Sequence, residues 1–443
     1  MNEGLAGAGA TEGPAVRNTE PEALANLAAV LRLCQAGRLQ CSAKTSRPSA
    51  ATVRAVAGVL VAGDFYPDDA IAAFAWPLLL QAGGLARLNG SRLALTPKGR
   101  RALGQPAHEV IRDIWQRWPR HAPIDELSRV EQIKGQKAAA VLSAAGPRRE
   151  AATAAIRHCP PGEWAGVDGL FTTLRRHEHR LTVARSERAL WKLYIVDPEY
   201  GSLGYDGYHD FRVLEGRYVL AVLFEYAATL GLIDVEYVAP AQARDDFRHM
   251  WGADWLDALS RYDGLGAVRL TALGAYACGL ASEYAPPAPP VAERALEVLP
   301  NLDVVVLGDL PAADRLLLDA FATRGSDRVW TLSAPSLLAA ADAGHPPREL
   351  AGFLADRAVH GVPPVVQTLM DDVEARLQRV RDLGLHRVVE CADVQTATLL
   401  AADRTLRGLC TRIGDRHLLI EPTGEAKARA ALLRLGHPLG PPS

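Results

Sequence analysis

The sequence predicts a mainly helical α+β protein of several domains. Two small helical modules, each closed by a pair of short strands, are followed by a C-terminal α/β module. Three observations carry that expectation. Apolar residues recur at three- and four-residue spacing through the first hundred residues and are then broken by a short alternating stretch around Asn89-Gly90. The punctuation Leu95-Thr96, Gly99, Gly104 returns with the same spacing at Leu270-Thr271, Gly274, Gly279. The stretch Ala285-Pro-Pro-Ala-Pro-Pro290 then separates these modules from a region in which strand-like and helix-like segments alternate. The chain has 443 residues, enough for about three domains.

Taken in order, residues 1–21 read as a flexible leader rich in Gly and Ala. The first module covers residues 22–105. Leu24, Leu27, Leu31 and Cys34 mark a helix that ends at Gly37. Pro48 is expected in the first turn of a second helix, with Val53, Val56, Val59 and Leu60 facing inward. A third helix is expected over 69–82, ahead of Gly83-Gly84. Two strands between residues 85 and 95 join through Asn89-Gly90, a pair whose positive φ angles suit a tight turn. Thr96 then caps a further helix with Pro97 in its first position. Residues 106–150 form a helical connector. The second module, 151–285, repeats the plan with a helix over 216–230 and a strand over 231–237, then carries an insertion containing Trp251 and Trp255 before Val268. Residues 286–292 are a stiff proline-rich linker. In 293–443, strands are expected over 295–299, 303–307, 328–332, 387–390 and 417–421, with helices over 312–322, 336–343, 348–358 and 363–380.

Three helices, a hairpin and a closing helix, with Leu95-Thr96-Pro97-Lys98-Gly99 directly after the hairpin, resemble the winged helix-turn-helix family. A second resemblance lies further on. Leu332, Ser336-Leu337, Ala343-Gly344, Leu350, Leu354, Val362-Pro363, Val366, Leu369 and Asp371-Asp372 resemble the helicase-associated domain at the N-terminus of XPB-type helicases and at the C-terminus of large actinobacterial proteins. It covers residues 293–439. Pro363-Pro364 and Arg381-Asp-Leu-Gly384 depart from the Pro-Gln and Arg-x-His-Gly of those relatives. Together the two resemblances imply a role in DNA transactions.

Charge is unevenly spread. The whole chain carries a formal −2, yet residues 22–105 hold ten Lys and Arg against four Asp and Glu, while 191–285 hold seven against fourteen. A polyanion would therefore bind the first module. Arg38, Lys44, Arg47, Arg54, Arg87, Arg92, Lys98, Arg100 and Arg101 are the candidate contacts to DNA phosphates. The third helix offers only Gln81 to a base edge, so backbone or wing contact is expected in place of sequence readout. The competing reading of these modules is protein docking. In the glycine-rich, acid-flanked loop 191–211, Tyr200, Tyr205 and Tyr208 are candidate contacts to a protein partner, since rings give large contact area at low entropic cost. The competing reading there is a loop that packs its rings on its own domain.

Several classes are disfavoured. Cys34, Cys41, Cys159, Cys278, Cys391 and Cys410 form no Cys-x-x-Cys pair and read as buried apolar residues. His177-Glu178-His179 has no third ligand at a metal-binding spacing. No Gly-x-x-x-x-Gly-Lys-Ser/Thr loop is present to cradle nucleotide phosphates, and no Gly-x-Ser-x-Gly elbow to present a nucleophile. No catalytic residue, metal or cofactor is therefore expected, and with no apolar run long enough to span a bilayer the chain reads as cytoplasmic. The expected function is non-enzymatic. The protein would bind DNA through backbone or wing contacts and engage a protein partner, a helicase or nuclease subunit, in repair, regulation or defence. The alternative is a scaffold subunit of such a complex that does not touch DNA.

Overall fold

The computed structural model describes residues 13–137, 140–176, 181–286, 294–380 and 384–440. The fold is α+β with helix predominating, 43% against 16% strand. Internal contacts divide it into two units, residues 1–368 and 369–443.

The chain enters as a strand. β1 (Ala15–Arg17) pairs antiparallel with β7 (Ile233–Tyr237), more than 200 residues away in sequence. Of the expected flexible leader, residues 15–21 are thus ordered parts of the fold: Thr19 donates its hydroxyl to the Ile233 carbonyl and its N–H to Asp234. α1 (Thr19–Gln35) starts three residues earlier than its apolar spacing indicates. α2 (Ala50–Ala57) is capped by Ser49, which leaves Pro48 just outside the helix, paired with Cys41 in a β-bridge. α3 (Ala72–Ala82) begins where the Asp64 carboxylate accepts the backbone N–H groups of Ile71, Ala72 and Ala73, so the acidic run 68–69 stays in the preceding loop. β2 (Ala86–Asn89) and β3 (Arg92–Leu95) form the hairpin in the register Asn89↔Arg92. Its turn is therefore Gly90-Ser91, with φ of 61° at Gly90. That places the left-handed residue first, as in a type II′ turn, and returns Asn89 to the strand. α4 (Pro97–Ala102) and the amphipathic α5 (Ala107–His121) follow; α5 buries Val110, Ile111, Ile114, Trp115 and Trp118.

After β4 (Ile133–Lys134) come α6 (Ala145–Arg157), β5 (Trp164–Gly166), α7 (Val167–Arg176), the short α8 (Glu187–Leu190) and β6 (Tyr194–Ile195), which pairs with β4. A continuous helical run then contains α9 (Arg217–Ala221) between wider-wound segments Arg212–Gly216 and Val222–Ala228. β7, β8 (Leu265–Leu270) and α10 (Ala272–Ala277) complete this part, and the sheet order is β1-β7-β8-β5.

The internal repeat in the sequence is a repeat of geometry. The Thr96 hydroxyl donates to the Gly84 and Leu85 carbonyls and accepts from the Gly99 N–H. The Thr271 hydroxyl does the same with Gly231, Leu232 and Gly274. A Cβ on Gly99 would collide with the Leu85 carbonyl, and one on Gly274 with that of Leu232. Gly84 and Gly231 both sit at left-handed φ, 71° and 72°. The two copies do not fold as separate cores. One cluster of buried apolar side chains runs from Ala23 to Ala277, and α3 packs against α5 and the Val222–Ala228 segment.

Buried ion pairs tie the connector into this core. Glu126 accepts from Arg149 Nε at 2.8 Å and from the Tyr218 hydroxyl at 2.9 Å. Arg129 Nε donates to Glu225 at 2.9 Å, its guanidinium lies 3.7 Å from the Phe74 ring centre, and the Tyr262 hydroxyl donates to the same carboxylate. Burial pushes the Glu126 carboxyl up to about 7 against the pull of Arg149, and it raises Glu225 as well.

The proline-rich linker, beyond Pro286, lies outside the described residues. After it, β9 (Leu296–Val298), β10 (Asp303–Val306), α11 (Ala312–Phe321), β11 (Ala322–Arg324) and β12 (Val329–Leu332) form a sheet of order β11-β12-β10-β9. All its pairs are antiparallel, which makes this part α+β and corrects the α/β expectation: short turns join β9 to β10 and β11 to β12, and α11, which links β10 to β11, sets those two strands on either side of β12 instead of pairing them in parallel. α12 (Ala334–Asp342) starts with a reciprocal Ser333/Ser336 capping box, and α13 (Pro347–Arg357) follows. α11 packs on α1, and Arg32 pairs with Glu349 at 2.9 Å, so residues 294–368 belong to the first compact unit. α14 (Pro364–Leu377) contains the division between the units. The second unit holds β13 (Arg387–Glu390), α15 (Val394–Ala402), β14 (Cys410–Ile413), β15 (His417–Ile420) and α16 (Glu425–Arg434), with sheet order β13-β15-β14 around Ala397, Leu418, Ile420, Ala428 and Leu432.

Candidate nucleic-acid interface

The hairpin turns one face inward and one outward. Ala86, Leu93 and Leu95 are buried, whereas Arg87, Asn89 and Arg92 stand on the opposite, exposed face. Residues directly opposite in an antiparallel ladder share a face, and the register Arg87↔Ala94, Asn89↔Arg92 puts both arginines on it. A bridge between Gln40 and Arg92 adds a third segment, with Leu39 buried and Arg38 exposed two residues before Gln40. Arg38, Arg87 and Arg92 therefore line one surface. The Arg92 guanidinium lies over Gly37, at φ 67°, in space that any side chain there would occupy.

Among the nine basic candidates, six are exposed with no hydrogen bond or ion pair from their side chains among the described residues: Arg38, Lys44, Arg54, Arg87, Arg92 and Arg101. The other three have structural work. Arg47 donates to Ser128 Oγ at 2.6 Å, joining the first repeat to the connector. Lys98 pairs with Asp113 at 2.7 Å and donates to the Gly83 carbonyl. Arg100 donates to the Leu95 carbonyl at 3.1 Å, behind the hairpin.

Arg100 and Arg101 also border a cleft of about 460 Å³ whose other wall carries Arg348. Composition of the first repeat could not have indicated Arg348, which lies some 250 residues further on and arrives through the packing of α11 on α1. Glu349, the acid in this cleft, is held by Arg32, and its carboxyl lies below the usual carboxylate range despite burial because of His345 and Arg32.

α3 has no surface to offer a groove. Ten of its eleven residues are buried, and Gln81 donates its amide to the Ser46 and Pro77 carbonyls. Tyr200 and Tyr205 are exposed and Tyr208 is half-buried. His177-Glu178-His179 lies outside the described residues. No helix among the described residues is long and apolar enough to cross a membrane.

At this end of the chain the antiparallel sheet β9–β12 carries the helices α11–α13, and an arginine-bordered cleft lies where it meets α1 and α4. Residues 296–413 match the family model described as the helicase conserved C-terminal domain, a stretch running from β9 to β14. No curated protein matches the chain.

Proposed function

We propose that the chain is a non-enzymatic, nucleic-acid-binding accessory protein. Its first repeat acts as a winged helix whose hairpin, the wing, lies along the phosphate backbone of DNA. The carrying observation is the set of unpaired cations on and around that hairpin, next to a third helix consumed by the core. Phosphates supply sequence-independent attraction, and with no base-reading helix the binding is indifferent to sequence. The match of residues 296–413 supports the nucleic-acid context, and a helicase or nuclease subunit is the partner this reading assigns. The second repeat, with the same cap geometry, is read as a modified winged helix carrying an insertion.

The test is a titration of fluorescent random-sequence DNA, duplex and single-stranded, against the full chain and against Arg87→Glu/Arg92→Glu. Binding by the parent and markedly weaker binding by the variant is expected. Equal affinity of the two proteins removes the wing from the proposal. A second reading, a scaffold subunit that does not touch DNA, is favoured by exposed rings in the second repeat. Absence of DNA binding by the parent at low salt, with a motor subunit co-purifying in stoichiometric amount, establishes it instead.

A further inference from the structure

Two loops distant in sequence bring their rings to one surface. The first, between α8 and the 212–228 helical run, carries Trp191, Tyr200, Tyr205 and Tyr208. The second, the insertion between β7 and β8, carries Trp251. Trp191 and Tyr205 have ring centres 4.9 Å apart, and Tyr205 and Tyr208 5.9 Å. The Tyr208 hydroxyl accepts the Trp251 backbone N–H at 3.2 Å, and Trp251 meets Tyr200 at 5.2 Å. The row is continuous from Trp191 to Tyr200. Gly204 makes room for the Trp191 ring, because a Cβ there would stand 2.5 Å from the indole. Rings that served only to hold their own loops would be covered by them, yet Trp191 is 52% exposed, Trp251 53% and Tyr200 50%. A row of rings this open is unusual on a monomer surface and characteristic of contact sites.

The rim is acidic. Glu199, Asp206, Asp254 and Asp257 are exposed and make no ion pair among the described residues, whereas Asp210 is held by Arg212. Carboxylates at this density repel a phosphate backbone, which argues against bases stacking on the rings. Arginine and lysine side chains suit both features at once, since their cations are attracted to ring faces and to carboxylates.

We propose that this surface docks an arginine- or lysine-rich segment of a partner protein. The site is independent of the hairpin and of the nucleic-acid reading. Its test uses the full chain and three fluorescent probes: a nonapeptide of alternating Arg and Gly, its Glu-Gly counterpart, and oligothymidylate. The Arg-Gly peptide should raise anisotropy, quench tryptophan emission and dissociate as salt rises, while the Glu-Gly peptide should not bind. Trp191→Ala and Trp251→Ala should each weaken peptide binding at least tenfold, with unchanged circular dichroism and DNA binding. Glu199→Gln/Asp206→Asn/Asp254→Asn, which leaves the rings in place, should weaken it at low salt. The proposal is overturned if the Arg-Gly peptide fails to bind, if both peptides bind alike, if the tryptophan variants bind as the parent does, or if oligothymidylate displaces the peptide.

Discussion

Replacing Arg38, Arg87 and Arg92 together by alanine tests the hairpin surface quantitatively. All three are exposed side chains without partners among the described residues, so their removal leaves no buried charge behind and should not disturb the fold. Each phosphate contact to duplex DNA contributes about −0.9 to the slope of log K against log salt. Six contacts, from Arg38, Lys44, Arg54, Arg87, Arg92 and Arg101, give a slope of about −5.4, so raising salt from about 50 to about 200 mM should weaken binding roughly two-thousandfold. Three contacts give a slope of about −2.7 and a loss of roughly fortyfold over the same range. The assay is fluorescence anisotropy with a random-sequence duplex at four or more salt concentrations, for parent and triple variant. A triple variant whose slope matches the parent's refutes the assignment of phosphates to this face. A parent whose affinity ignores salt refutes electrostatic binding altogether.

Three further outcomes follow from the fold. Gly99→Ala and Gly274→Ala each drive a methyl group into a carbonyl of the equivalent turn, and should each destabilise by about 1–3 kcal/mol in urea titrations; the repeat geometry requires similar losses at both sites. Asp64→Ala removes the carboxylate that caps α3 and should cost about 0.5–2 kcal/mol, read by the shift in thermal midpoint. The unfolding midpoint should fall between about pH 6 and about pH 8. Glu126, raised by burial to about 7, holds in the folded state a proton that the unfolded chain has released, so its stabilisation is complete below the ordinary carboxyl range and is lost as pH rises through about 7. That loss is about 1 kcal/mol over the interval. Glu225, raised by burial, acts in the same sense, and so does His209, raised by its hydrogen bond to Glu215. Calorimetry showing a flat or rising midpoint contradicts this.

Local chemistry made most of the first repeat legible. The Thr96 cap, Pro97 at the helix start and the hairpin all follow from residue types whose backbone preferences act within a few positions. The repeat was legible for the same reason, because Thr271 and Gly274 perform the work of Thr96 and Gly99. What depends on distant partners was not. The Gly- and Ala-rich start gives no hint that Ala15–Arg17 is a strand, since its partner is β7. Likewise β11 and β14, edge strands of three and four residues, carry too little alternation to stand out. In the site, counting cations found the basic surface but could not separate Arg87 from Lys98, whose carboxylate lies on α5. Nor could it show that the rings of 191–208 meet Trp251 from the insertion.

The shared core limits where function can reside. Phe65 and Tyr66, just before α3, meet Phe224 of the second copy at 4.8 and 5.9 Å between ring centres, and Arg129 reaches Phe74 on one copy and Glu225 on the other. The apolar segments at the heart of both copies are therefore spent on each other, and binding is left to the periphery: the basic hairpin of the first copy and the ring-bearing insertion of the second. This coupling predicts that Arg129→Ala, which strands the Glu225 carboxylate in the core, costs about 3–5 kcal/mol. It also predicts that the loss is felt by both copies together. Amide hydrogen exchange should accelerate in parallel in α3 and in the 222–228 helical segment, because a single cooperative core opens as a unit. Faster exchange in one of them alone would mean that the copies fold as independent modules, each with its third helix free to be exposed.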